Sequence, residues 1–509
     1  MATRNPVDKL ISGLERAGNR LPHPMFLFLY LFGIIAVGSS VAQWLGASVL
    51  VPGSDEPLVV RGLFSSDGLL WFLDSFVDNF ISFPPLATVI LIVTAVGVAE
   101  RTGLINAAII ATFARVPKRL VPYVVAMLSC QAHIMSDVAM VVVPSLAALV
   151  FLKLGRNPIA GLVGSLACVA AGYAGGVLLG ALDTLYLGIS EKATEILPDV
   201  EVHTSLLMNY FYTAAAGIAL GLLGGLIIDR VLEPRCPAPD LDHLNLVGGE
   251  DDQSLNLDPG QRRGLVAAGG ALLALLVVLG VSWLWPGSPL QGEGGTLVPS
   301  PLLSAMVLVI FTAFVLMAVV YGVAAKTLTS KDQLPAMMTD ALREVVPYVV
   351  FALVISQALA LFTWSNVGAY LAVNLAAGLK AVHLTGFLAL LLLVLLTCVL
   401  NLLITSGSAL WSLIAPVFIP SFMLLDLSPA VTQAAFRIGD SVTQPLSPLN
   451  PMLILVLAML QKYEPDAKLG TLIARSALFA APFLFVWLLL LGMFYGFDLP
   501  LGPGASVHM

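Results

Sequence analysis

The sequence predicts an all-α polytopic membrane protein, with nine transmembrane helices plus two re-entrant helical hairpins arranged as an inverted repeat. Three observations predict it. Charged side chains make up only 11% of the 509 residues, with a mean hydropathy of +0.95, whereas an ordinary soluble domain carries about 25% charged residues. Apolar runs of about 18 residues or more recur along the chain, each long enough to cross a ~30 Å hydrocarbon core as helix, which favours a helical bundle over a barrel. Two further apolar segments carry a polar kernel at their middle, as a segment that enters the membrane and returns would.

The elements follow in order. Residues 1–24 carry Arg4, Lys9, Arg16 and Arg20 ahead of the first apolar run. That run is long and has no small-residue cleavage site, so it reads as an uncleaved span behind a cytoplasmic amphipathic N-terminus. Spans are expected near 25–46, 84–99, 158–188, 205–229, 263–285, 301–323, 346–365, 430–461 and 472–495, with 47–83 as an outer loop. The hairpins are 119–152 and 384–425. The first transmembrane half is therefore 25–232 and the second 263–497. Residues 233–262, rich in Pro, Gly and Asp, read as a cytoplasmic linker, and 498–509 as a periplasmic tail. Basic residues agree with this parity: Arg115, Lys118, Arg119, Lys153 and Arg156 flank the first hairpin, and Arg230, Arg235, Arg262, Arg263, Lys326, Lys331, Lys462 and Lys468 fall on the same inner side. The second hairpin then opens to the opposite face. The expected location is the cell inner membrane.

Internal similarity points the same way. QAHIMSDVAMVVVPSLAALVF can be laid on LITSGSALWSLIAPVFIPSFM with Ser136 over Ser408 and Pro144 over Pro416. LGALDT then lies over LSPLNP, with Asp183 over Asn450. Each unit reads span, hairpin, broken span, span, a plan that builds a midplane binding site.

Charges at membrane depth cost roughly 3 kcal/mol or more, so they line cavities or pair. Arg437 and Asp440, at i and i+3, share a helix face and either form an ion pair or face a common cavity. Arg437 suits a substrate carboxylate and Asp440 suits ion or proton coupling. A purely structural pair is the plainer alternative. Pro445, Pro448 and Pro451 break the helix just beyond. Asp183, with no basic neighbour in sequence, is protonated, cation-bound, or solvated at the outer end of its span. The second hairpin's kernel holds Asn401, Thr405, Ser406, Gly407, Ser408 and Trp411. Its hydroxyls and carbonyls suit a sodium ion, with Asn401 and Asp440 as possible ligands, and Trp411 offers a flat face to an aromatic ligand or serves packing. In the first kernel, Gln131, His133, Ser136 and Asp137, the histidine either relays protons or is a satisfied buried group. Cys130, Cys168, Cys236 and Cys398 lack ligand spacing and read as packing residues. No HExxH, GxSxG or Walker-type loop is present, so no enzymatic centre is expected, and neither a cofactor nor a nucleic-acid partner.

The motifs GNRLPHP, GRNPIAGL, LGALD, QKYEP and above all SGSALWSLIAPVFIPSFMLLDLSPAVTQAAFRIGDSVTQPLSPLNP resemble the AbgT family of p-aminobenzoyl-glutamate transporters. The resemblance runs from GNRLPHP near the N-terminus to QKYEP in the second half. It implies a homodimer with nine spans and two hairpins per subunit, driven by a sodium or proton gradient, moving p-aminobenzoyl-glutamate or exporting sulfonamide antimetabolites. It puts functional roles on Asp183, Asn401, Ser408, Trp411, Arg437, Asp440 and Pro448. Asn450, from its place in the second break, joins the expected substrate-binding set, and Thr405, from the second hairpin's kernel, joins Asp183, Asn401 and Asp440 as expected coupling residues. The chain departs from the family's pattern at Gly175 and Gly176, at His133, and at Thr405 and Leu410, which leaves a different substrate open. A channel or scaffold of the same architecture is a reading from another class, and predicts conductance or no flux.

Overall fold

Helices carry this chain because each satisfies its own amides and carbonyls where water is scarce. The computed structural model describes residues 24–51, 57–113, 116–133, 139–197, 202, 204–240, 257–292, 295 and 300–509. The basic N-terminal segment before Pro24 and the middle of the expected linker, 241–256, lie outside them, as do Ser136 and Asp137.

The first half begins with α1 (Pro24–Trp44), a small antiparallel hairpin of β1 (Ser48–Val49) and β2 (Leu58–Val59), then α2 (Ser66–Ile81), α3 (Pro84–Arg101) and α4 (Leu104–Phe113). The expected outer loop 47–83 is thus a β-ribbon and a helix. Ser65 caps α2 by accepting the Gly68 amide, and Leu69, Leu70, Leu73, Val77 and Ile81 leave it an exposed apolar face. The expected first hairpin is α5 (Val121–Gln131) and α6 (Ala139–Lys153). The 158–188 span is two helices, α7 (Pro158–Ala171) and α8 (Ala181–Thr194), joined by a non-helical stretch. Helix α9 (Tyr210–Ile227) closes the half and runs into a π-helical turn, Ile228–Leu232.

The second half has α10 (Pro259–Leu284), α11 (Met306–Ala325), α12 (Gln333–Trp364) and α13 (Val367–Ala381). Helix α12 starts well before the expected 346 and bends by 49° between Arg343 and Tyr348. Helix α13 falls in a segment left unassigned between a span and a hairpin. The second hairpin is α14 (Phe387–Asn401) and α15 (Gly407–Met423). The 430–461 span is again broken, into α16 (Pro429–Thr443), a 3-10 turn at Gln444–Leu446, and α17 (Pro451–Leu460), before α18 (Leu469–Gly496).

Hairpin arms of 11 to 17 residues rise about 16 to 26 Å, short of the hydrocarbon thickness. Among the described residues five helical segments are long and apolar enough to cross a membrane, or six with the bent α12 counted as one. The nine expected spans are therefore not all continuous helices of spanning length. The halves interlock reciprocally: α15 packs on α8 and α6 packs on α17. Helix α16 sits at the centre, every residue from Pro429 to Thr443 buried, although it carries Gln433, Arg437, Asp440 and Ser441.

Candidate functional site

Backbone groups freed at the first break and at the second hairpin's tip are met by partners from elsewhere in the fold. In the first break the Ala174 amide donates to Ser441 Oγ (3.1 Å), the Val177 amide to Gln131 Oε1 (2.7 Å), and the Gly176 amide to the Thr213 carbonyl (2.9 Å). His133 Nε2 meets the Leu178 carbonyl at 2.6 Å. In the second break Gln444 donates to the Thr405 carbonyl (3.3 Å) and Ser447 to the Leu402 carbonyl (2.9 Å). Non-helical backbone survives at membrane depth only with such partners.

Arg437 does not pair with Asp440. Its Nη1 lies 2.8 Å from Asp183 Oδ1 and 3.3 Å from the Ala174 carbonyl. Its Nε donates to Gln433 Oε1 at 3.1 Å, and the guanidinium lies 5.0 Å from the Tyr186 ring centroid. Asp183 is therefore neither solvated nor isolated: it is 6% exposed, and its cation is the arginine of the other half. Sequence separation hid this pairing, and a helix-face argument reaches only neighbours within a helix. Asp183 Oδ2 also accepts the Gly180 amide at 2.9 Å, which caps α8. Counted from the helix starts, Gly180 rather than Asp183 corresponds to Asn450, the cap of α17.

Asp440 turns the other way. Its Oδ2 accepts the Tyr186 hydroxyl at 2.6 Å, and the carboxylate lies against Gly407, where an added Cβ would come within 2.6 Å of it. Asn401, fully buried, donates to the Asp440 main-chain carbonyl (2.5 Å) and to Thr443 Oγ1 (3.0 Å). Its Oδ1 has no hydrogen-bond partner among the described residues, a bare buried oxygen of the kind a cation uses.

Trp411 is not an open aromatic surface. It is 0% exposed, its ring meets Phe436 at 4.4 Å between centroids, and its Nε1 donates to Ser190 Oγ (3.1 Å) and the Tyr186 carbonyl (3.3 Å). In this conformation it packs the α8–α15–α16 junction. Pro448 is buried in the second break. Asn450 spends its side chain capping α17, accepting the Met452 amide at 3.0 Å, while also edging the cavity.

That cavity, about 320 Å³, lies between α8, the hairpin tip and the second break. Thr405, Ser408 and Asn450 line it, and so do Tyr173, Leu185 and Gln444, which the sequence did not single out. Arg437 and Trp411 are not on its wall. The residues missed at the site are Tyr186 and Gln433. Both carried a legible signal: Tyr186 is i+3 from Asp183 and Gln433 is i−4 from Arg437, each on the face of an already suspect charge.

A family profile described as "AbgT putative transporter family" matches residues 9–509. The chain belongs to the AbgT family. It is 36% identical over 497 residues to the p-aminobenzoyl-glutamate transport protein of Escherichia coli (strain K12), covering 97% of this chain and 96% of that protein. Two solved transporter structures share the fold. The Alcanivorax borkumensis YdaH transporter, described as having an unusual topology, superposes with a TM-score of 0.87 at 33% identity, covering 95% of this chain and 100% of that one. Neisseria gonorrhoeae MtrF, of a class of antimetabolite efflux pumps, superposes at 0.90 and 33%, covering 97% and 100%. This AbgT-family chain is a multi-pass membrane transporter.

Proposed function

We propose that this transporter moves p-aminobenzoyl-glutamate or a related aromatic carboxylate across the inner membrane, driven by a sodium or proton gradient. The observation that carries this reading is the Arg437–Asp183 pair, 2.8 Å long and buried between two broken helices beside a cavity of about 320 Å³. A buried guanidinium paired with a carboxylate can exchange that partner for a substrate carboxylate, and the cavity volume falls in the roughly 300–1,000 Å³ range of small-molecule sites. Ser408, Thr405 and Asn450 supply polar contacts on the cavity wall. Asp183, Asp440 and Asn401 form the coupling region, the Asn401 Oδ1 oxygen and the Asp440 carboxylate suiting either coupling ion. Trp411 and Pro448 shape the junction behind the site, and Trp411 reaches an aromatic ring only after α15 and α16 separate. The two units are taken as inverted in the membrane, with two re-entrant hairpins, an inner N-terminus and an outer C-terminus, in a homodimer.

The test is flux of p-aminobenzoyl-glutamate in proteoliposomes with sodium and proton gradients imposed separately. Gradient-driven flux that collapses in Asp440→Ala is expected; an Asp440→Ala protein that folds and keeps full driven flux overturns the coupling role. A second reading, export of sulfonamide-type antimetabolites, is favoured by the likeness to MtrF. Oriented vesicles separate the two by direction and by which compound moves.

A further inference from the structure

Resting on that transport reading, we propose that His133 is a proton-binding residue of the transport cycle: it serves as the replacement counter-ion of Asp183 when a substrate carboxylate takes Arg437. His133 ends the first arm of the first hairpin and is 4% exposed. Its Nε2 faces the Leu178 carbonyl at 2.6 Å; a carbonyl only accepts, so this nitrogen carries hydrogen. Nδ1 is buried with no hydrogen-bond partner among the described residues, which leaves a bare lone pair where a proton adds. The ring occupies a slot that only glycine permits: a Cβ at Gly176 would collide with His133 Cε1 and come within 2.8 Å of Nδ1.

On its other side Nε2 is 4.0 Å from Asp183 Oδ2, too far for a hydrogen bond and well within Coulombic reach. Asp183 already has Arg437 at 2.8 Å. When a substrate carboxylate engages the guanidinium, Asp183 becomes a buried anion short of its cation, a costly state. A proton taken from the aqueous side onto Nδ1 makes His133 an imidazolium beside it and restores balance. The only bond formed is N–H, and the proton returns to water when substrate leaves and Arg437 re-pairs with Asp183. By linkage, proton and carboxylate then raise each other's affinity by the same factor. The ionisable group that faces the ring is Asp183 on α8, with Arg437 on α16 behind it; on the flanking elements Cys130 lies on the ring's own arm and Tyr173 in the break. The α9 stretch that closes the slot, Thr213 to Gly221, carries none. Asp137 lies outside the described residues.

Two measurements decide it. Calorimetric titration of the nanodisc-embedded protein with p-aminobenzoyl-glutamate, in buffers of different ionisation enthalpy, is expected to show uptake of about one proton per bound ligand. His133→Asn is expected to bind with that uptake lost. Wild-type uptake in His133→Asn, or binding by the wild type without uptake, overturns the proposal. If the wild type does not bind the compound at all, the substrate reading fails, and the second measurement decides without ligand. In 15N-histidine-labelled Arg437→Gln, which removes the guanidinium as a substrate would, the ring assigned by its absence in a His133→Asn background is expected to show the imidazolium signature. A neutral His133 ring there overturns the proposal; should Arg437→Gln fail to fold, the calorimetry stands alone.

Discussion

A methyl group at Gly407 has no space: it would press on the Tyr186 hydroxyl and lie 2.6 Å from Asp440 Oδ2. Gly407→Ala must therefore part Tyr186 from Asp440, and a misplacement of that size lowers transport on the order of tenfold to a hundredfold, read as proteoliposome flux with the inserted amount held equal. Gly176→Ala is expected to damage folding by displacing His133, and the double variant Gly176→Ala/His133→Ala to recover part of the loss in detergent melting temperature, because the two side chains compete for one slot. Trp411→Phe keeps the contact with Phe436 but forfeits the indole bonds to Ser190 and Tyr186, a loss of about 1 kcal/mol. It is expected to lower the melting temperature while leaving KM near wild type, since the ring is packed away from the cavity. Near the C-terminal end of α8, burial pushes the Glu191 carboxyl above the usual carboxylate range, with the Thr204 hydroxyl opposing the shift. A raised value in the fold means the protonated form is the one favoured, so this contribution is present in acid and is lost as pH rises through the carboxylate range. Glu191→Gln should flatten that part of a melting-temperature–pH profile.

Breaks are the working parts at the scale of elements. Asn450 starts α17 by accepting the Met452 amide, and Asn450→Ala is expected to cost about 1 kcal/mol of stability, measured by thermal unfolding, with a further effect on KM because the same side chain edges the cavity. Both breaks were legible in the sequence, from a glycine run in one case and three prolines in the other. The helices α2 and α13 were not. Asp67, Asp74 and Asp78 dilute the hydropathy of α2, and Asn374 and Lys380 that of α13, so each falls below a spanning signal although each keeps a helical repeat of apolar residues.

Across the whole molecule, the chain's last residues tie the two halves together. The Leu501 carbonyl accepts the Phe211 and Tyr212 amides at the start of α9 (2.8 and 3.1 Å), and the Val507 carbonyl accepts the Ser428 amide at the start of α16 (2.9 Å). Leu501 and Val507 are fully buried. What reads in sequence as a short tail is a strap over two helix starts, one in each half. Truncation after Leu499 leaves those amides unmet and is expected to lower the melting temperature clearly, with the α16 charges losing their alignment and flux falling with it. At the other end of α7 and α9, Arg156 bridges Asp229 at 2.6 Å and Glu233, tying the hairpin exit to the linker's first turn.

The sequence by itself determined the class of protein, the two breaks and most of the polar residues at the centre. These are one-dimensional facts: hydropathy, helix-breaking residues and charges out of place are each visible within a few turns of chain. Only the tertiary structure decided who partners whom. It gave Arg437 to Asp183 instead of Asp440, closed Trp411 behind Phe436, and set His133 in the slot of Gly176, because each of those contacts joins residues tens to hundreds of positions apart. Local periodicity places a side chain on a face; only the packing of the halves determines what that face meets.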